Sequence, residues 1–317
     1  MTSPLLQRPG AVEADGVDAG VAGHYGDPYR EQRVLEAGDA LVDLSHHPVV
    51  EISGPDRLSW LHSLTSQHLA ALAPGEWTQA LLLSPQGHVE HHLRLVDDGQ
   101  AVRAVVEPGT APALVEFLDK MRFLLRVEVR DVTGDWAAVW HAGGLRLLPR
   151  ESLGSYDGPV AGVSALEALR VAARRPRLGL DTDHRTLPHE VRWLGSAVHL
   201  DKGCYRGQEA VARVYNLGRP PRRLVLLHLD GSDSELPAVG SDLVLGERTV
   251  GRVGTSVRHH ELGPIALALV KRNVPDDAAL VTSGIAAAID PTPDDDGVPA
   301  SPARAAAEAR AGLLRHR

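Results

Sequence analysis

Lys202-Gly203-Cys204-Tyr205-Arg206-Gly207-Gln208-Glu209-Ala210-Val211-Ala212-Arg213 is the most informative stretch of the chain, and it holds the single cysteine. Gly203 and Gly207 permit tight backbone geometry on either side of that cysteine. From about Gly207 the residues favour helix, with Gly218 as its stop. Cys204 is therefore expected at or just before a helix N-terminus, where the positive end of the dipole favours thiolate over thiol. Lys202 and Arg206 would add positive charge beside it. The residues alone leave a second reading open, because a lone cysteine commonly serves as a small buried apolar side chain.

Outward from this stretch the pattern is mixed. Residues 1–30 are rich in Gly, Ala and Asp with little periodicity, and are read as a flexible arm. Leu41–Leu44 and Val49–Ile52 read as extended. After Ser53-Gly54-Pro55-Asp56, with Pro55 suited to a first helical turn, Leu58, Leu61, Thr65 and Leu69 recur at helical spacing. Strand-like runs at 78–84, 88–96 and 101–106 are separated by the hairpin signals Pro85-Gln86-Gly87 and Asp97-Asp98-Gly99. Thr110-Ala111-Pro112 opens a second helix with Leu114, Phe117, Leu118 and Met121 toward its core. Ser164 and Glu167 have the spacing of a capping box for a third helix with apolar side Leu166, Leu169 and Ala173, which Pro176 stops. Beyond residue 222, apolar strands at 223–229, 242–245, 248–256 and 264–270 are punctuated by glycines, as in a small β-barrel. The class is α+β with an all-β C-terminal module. The expected division is a flexible arm at 1–30, a main region at 31–221, a barrel at 222–290 and a flexible tail at 291–317.

The 317 residues are 43% apolar and 23% charged, ordinary for a globular protein, with a formal net charge of −8. That balance argues against direct nucleic-acid binding, which needs a basic face. The clusters Arg170/Arg174/Arg175/Arg177 and Arg219/Arg222/Arg223 read as solvated surface. One cysteine excludes an internal disulfide and a four-thiolate cluster within the chain. No run is apolar enough to span a bilayer and no secretory leader is seen, so no membrane association and a cytoplasmic location are expected. His88, His91 and His92, like the pairs His46-His47 and His259-His260, do not suggest a metal, because adjacent strand residues point to opposite faces.

The K-G-C-Y-x-G-Q-E arrangement of Lys202, Gly203, Cys204, Tyr205, Gly207, Gln208 and Glu209 resembles the signature of the YgfZ family, a branch of the aminomethyltransferase (glycine cleavage T-protein) superfamily. The resemblance extends from about residue 35 to 290. It includes Gly54–Leu61, Ser84–Val89, Arg170, Leu178–Asp181, Leu187–Glu190 and Gly251–Ser256. It implies a folate-binding fold with a cloverleaf of sub-domains over 31–221, followed by the barrel. It also implies tetrahydrofolate or a derivative as ligand, and a role in assembling or repairing iron–sulfur enzymes, including some that modify tRNA. Iron–sulfur proteins or their assembly factors would be the partners, and Cys204 the leading functional residue.

For the folate, Asp181 matches best the acidic residue that faces the pterin in aminomethyltransferases, with Glu190 second. Arg170 or Arg213 would meet the glutamate tail. The aminomethyltransferases also carry G-G-x-x-D-D-L, whose first aspartate assists methylene transfer. Here the stretch reads Gly87-His88-Val89-Glu90-His91-His92-Leu93, so His91 and His92 replace the carboxylates. A histidine cannot supply the same negative charge. The resemblance thus favours an accessory protein over a conventional aminomethyltransferase. A folate-dependent aminomethyl or methyl transferase and a non-catalytic binding module remain the alternatives.

Overall fold

The computed structural model describes residues 2–291 except 218–219 and 233–234. Its first sheet is antiparallel and five-stranded, in the order Trp77–Leu83, Val89–Asp97, Ala101–Val105, Val49–Ser53, Glu128–Asp131. Alternation along these strands separates two faces. Ala80, Leu82, Leu93 and Leu95 pack on one side under helices α2 (Arg57–Leu64) and α3 (Ala111–Met121). Gln79, His92 and Arg94 occupy the other side and face a central cavity. Pro55 lies just outside α2, whose cap is Asp56.

A four-stranded sheet runs Gly144–Pro149, Trp136–His141, Leu41–Asp43, Val160–Ala161. It shares a core with α1 (Pro28–Glu36) and α4 (Val163–Ala172). The C-terminal module is a closed barrel of Arg222–Leu229, Gly263–Lys271, Arg248–His259, Asp242–Leu245, Leu280–Thr282 and Ile285–Ile289. Closure removes the sheet edges, which suits strands this apolar. One barrel face, with Leu224, Leu226, Ile265 and Leu267, packs on Leu81, Leu83, Val191, Trp193 and Val211.

Several expectations are corrected. Residues 2–30 are built into the fold and are not a loose arm. Ser3 caps a 3-10 turn at Pro4–Gln7, Val12–Glu13 pairs with Ala22–His24, and Asp27 caps α1. The carboxylate of Glu31 accepts the N–H groups of Tyr25 and Gly162. Most of these are short caps and turns with no periodic pattern to announce them, and the Glu31 bond to Gly162 joins residues 131 apart in sequence. The Ser164/Glu167 capping box does not form: Gly162 is the N-cap of α4, and Glu167 binds Arg170 instead. Arg170 and Arg177 are buried rather than solvated, and Arg222 is half-buried among carboxylates. Gly218, Arg219 and the expected tail from 292 onward lie outside the described residues.

Candidate functional site

The cavity has a volume of about 1000 Å³ and lies where the five-stranded sheet, α4 and its following loop, the 192–196 segment and the barrel residue His259 meet. That is ample for a drug-sized ligand. Leu166 and Leu169 of α4 supply apolar wall, and Trp193 supplies an aromatic one. The Trp193 ring lies 4.6 Å from that of His92, tilted by 33°. His92 Nε2 is 2.8 Å from Gln79 Oε1, and burial pushes the imidazole down to about 3, so it is neutral at physiological pH.

Among the described residues the lining holds six arginines against four carboxylates, a positive chamber in a chain of net charge −8. Most of these charges hold one another. Arg177 donates to both oxygens of Asp18 (3.1 and 2.9 Å) and to Glu107 (3.1 and 2.9 Å), and lies 3.1 Å from Glu167. Burial alone would raise the Glu107 carboxyl, but Arg177 and Arg94 outweigh it and hold the group below its ordinary range. Asp18 is likewise held well below, with His46 and Arg177 offsetting its burial. Arg175 differs: it is exposed on the cavity rim, and its guanidinium has no partner among the described residues.

The structure separates the residues proposed from sequence. Asp181 does not line the cavity. Its side chain is fully buried and accepts from Arg170 Nη1 (2.7 Å), Arg177 N (2.8 Å) and Thr255 N (2.7 Å), tying the loop after α4 to the barrel. Gly254 is required there, since a Cβ would lie 2.3 Å from Asp181 Oδ1. Glu190 is also buried away from the cavity. It accepts from Leu187 N (3.0 Å) and from Arg222 (2.9 and 2.8 Å), which also grips Asp183. Both carboxylates are spent on structure. Arg170 does touch the cavity, but its donors are committed to Glu167, Asp181, Thr255 Oγ1 and the Arg175 carbonyl. Arg213 sits exposed on α5 (Gln208–Leu217), outside the lining.

The stretch around the cysteine is a knot that leaves the thiol outside. Gly207, at φ +84°, crosses the hairpin so closely that a Cβ would lie 2.5 Å from Ser84 O and 3.2 Å from Gly87 Cα. The Lys202 ammonium turns inward to the carbonyls of His62 and Thr65 and lies 4.9 Å from the centroid of the buried Tyr205 ring. Its burial lowers the amine to about 8. Gln208 donates to Lys202 O at 3.2 Å, and Arg206 pairs with Glu90 and covers Phe117. Glu209 is exposed at the start of α5, and Gly203 meets nothing that would exclude a side chain. Cys204 is exposed, lies four residues before α5 and does not line the cavity. The helix begins at Gln208, after Cys204, and the two flanking cations are paired with the His62 and Thr65 carbonyls and with Glu90.

The adjacent histidines also differ from expectation. His46 and His47 lie in a turn, and His259 and His260 at a strand end, so each pair brings its rings together (4.5 and 4.7 Å) rather than to opposite faces. Asp18 joins the first pair and Glu36 the second. Arg177 already occupies the Asp18 carboxylate, and His259 Nδ1 accepts from the backbone N–H groups of Glu261 and Leu262.

Sequence reasoning did not single out the cavity-lining residues Trp193, Glu107 and Arg175, and read Glu167 only as a helix cap. The one available signal was the Arg174-Arg175-x-Arg177 cluster, read as surface. No helix among the described residues is long and apolar enough to cross a membrane.

No family model matches the chain. A chloroplastic candidate transferase of Arabidopsis thaliana is 24% identical over 276 residues, covering 69% of this chain and 62% of that one. A mitochondrial homologue of the iron–sulfur cluster assembly factor IBA57 from Mycosarcoma maydis is 28% identical over 230 residues, covering 59% of this chain and 56% of that one. The chain thus spans less than two thirds of either relative. The crystal structure of the glycine cleavage system aminomethyltransferase T from Bartonella henselae superposes with a TM-score of 0.76 at 18% identity, over 92% of this chain and 97% of that one. The chain therefore has the fold of the glycine-cleavage aminomethyltransferases, closed by a six-stranded C-terminal barrel.

Proposed function

We propose that this protein binds a reduced folate in its central cavity and serves the assembly or repair of iron–sulfur proteins, presenting Cys204 to them. The observation that carries the reading is the aromatic-walled, arginine-rich cavity in an acidic chain of this fold. A reduced folate is flat at one end and anionic at the other. Trp193 and His92 offer a wall for the pterin, Glu107 and Glu167 are lining carboxylates that its donor edge would meet, and Arg175 and Arg192 on the lining would meet the glutamate tail. The folate would supply a one-carbon or redox-active pterin. The chain's own residues bind it, orient it and limit its contact with water.

Neutral His92 is the cavity-facing member of the histidine pair, and it offers no negative charge to a developing iminium. This supports an accessory role over aminomethyl transfer. The similarity to an iron–sulfur cluster assembly factor supports the same role. An exposed thiol outside the cavity suits contact with another protein.

Tetrahydrofolate at a hundredfold over its dissociation constant should stabilise the protein by about 2.7 kcal/mol, read as a thermal shift. Cys204→Ser should keep that shift while failing to restore iron–sulfur enzyme activity in cells deprived of the protein. Absence of any shift would remove the folate reading, and full restoration by Cys204→Ser would remove the role of the thiol.

A further inference from the structure

We infer that Arg94 and Gln79, side by side on the cavity wall formed by the five-stranded sheet, make a subsite for a small organic carboxylate that binds beside the cavity's main ligand. The inference goes beyond the folate reading and is decided separately from it. Gln79 on Trp77–Leu83 and Arg94 on Val89–Asp97 are direct register partners. Residues opposite each other in an antiparallel pair stand on one face with Cβ atoms about 5 Å apart. Both side chains line the cavity. His92 precedes Arg94 by two residues on that face, about 6.7 Å along the strand.

Arg170 and Arg177 spend their donors on carboxylates, but Arg94 does not. Its nearest carboxylate oxygen, Glu107 Oε1, is 3.8 Å away, while Glu107 Oε2 accepts from Arg177. The one hydrogen-bonding contact of Arg94 among the described residues joins Nη2 to His47 Nδ1 at 3.0 Å, and the same nitrogen lies 3.0 Å from Val106 O. Burial and the Arg94 charge keep His47 neutral. One nitrogen of a neutral imidazole either donates or accepts, so it serves Val106 or Arg94 and not both. In either tautomer Nε and Nη1 of Arg94 have no partner among the described residues. Burial lowers all three guanidinium groups; carboxylates outweigh it at Arg170 and Arg177, and at Arg94 burial prevails. Gln79 Oε1 takes the Nε2–H of His92, which leaves the Gln79 NH2 without a partner among the described residues. Arg94 and Gln79 thus turn N–H donors to the cavity, and such a pair matches the two oxygens of a carboxylate. One positive charge beside Glu107 suits a monoanion; the second charge of a phosphate would meet Glu107. A cavity of about 1000 Å³ is at the upper end for one drug-sized ligand, which leaves room for an acid of a few carbons beside it.

The probe is acetate, titrated against the full chain by saturation-transfer NMR, with inorganic phosphate titrated in parallel. Acetate should bind with a dissociation constant on the order of 1 mM, and phosphate about tenfold more weakly. Arg94→Gln should weaken acetate about tenfold. Arg94→Lys keeps the charge, gives up the fork and should weaken it about threefold. Gln79→Leu should also weaken it about threefold, and it reads the subsite with the arginine in place should Arg94→Gln not fold. Substitution of the exposed barrel residue Arg248 by Gln should change nothing. Absence of acetate binding, parent affinity in a folded Arg94→Gln or in Gln79→Leu, an equal loss in Arg248→Gln, or phosphate as tight as acetate would overturn the inference. Saturating acetate should leave tetrahydrofolate affinity unchanged; competition between the two would put a group of the folate on Arg94 and overturn a separate carboxylate subsite. If the protein binds no tetrahydrofolate, the folate reading fails, while the acetate titrations still decide the subsite.

Discussion

Removing the Asp181 carboxylate should unlatch the barrel from the rest of the fold rather than simply empty a ligand site. Its side chain is wholly buried and accepts three hydrogen bonds of 2.7–2.8 Å, one from the Arg170 guanidinium and two from backbone N–H groups. Breaking a buried ion pair by deleting one partner costs about 3–5 kcal/mol. Arg170 keeps Glu167, which limits the charge left uncompensated, but the N–H groups of Arg177 and Thr255 lose their acceptor. We expect Asp181→Ala to cost about 4 kcal/mol. With an unfolding entropy near 0.67 kcal/mol per degree for a chain of this size, Tm should fall by about 6 °C. Asp181→Asn keeps one acceptor oxygen and should fall between the two. Differential scanning calorimetry with and without tetrahydrofolate makes the measurement. A variant that melts within 1 °C of the parent yet loses its folate shift would refute the latch and restore Asp181 as a ligand contact.

Gly254→Ala places a Cβ 2.3 Å from Asp181 Oδ1 and should destabilise by about 2–3 kcal/mol; in the Asp181→Ala background the added cost should shrink, as a double-mutant cycle will show. His92 has a folded pKa of about 3 against an unfolded value near 6.5, so the unfolded state binds the extra proton. Its contribution is full above about pH 6.5 and is lost as pH falls toward 3, amounting to about 2 kcal/mol at pH 5. His92→Gln should therefore flatten the stability profile between pH 7 and 5 in urea titrations. Arg175→Glu should leave Tm within about 1 °C, because the side chain is exposed and unpartnered among the described residues, yet weaken tetrahydrofolate binding about tenfold by calorimetry.

The sequence alone determined the local and periodic parts of this protein. Strand alternation around Pro85-Gln86-Gly87, the apolar stripe of Leu114, Phe117, Leu118 and Met121, and the glycine-punctuated strands beyond 222 are encoded within a few residues, and each element formed where that pattern placed it. Only the tertiary structure decided what the charged residues do. Whether Asp181 faces a ligand or a barrel strand depends on Thr255, and whether Arg177 is solvated or buried depends on Asp18 and Glu107, far away along the chain. The N-terminal segment has no periodicity to read, because it is built of short local caps and turns and is tied to the rest of the fold by partners more than a hundred residues distant. Cys204 shows the same limit: glycines and cations flank it in sequence, but the turn through Gly207 and the inward reach of Lys202 are what leave the thiol exposed. A carboxylate or guanidinium carries no periodic signature of its partner, and burial can create or cancel its function only once the chain has folded.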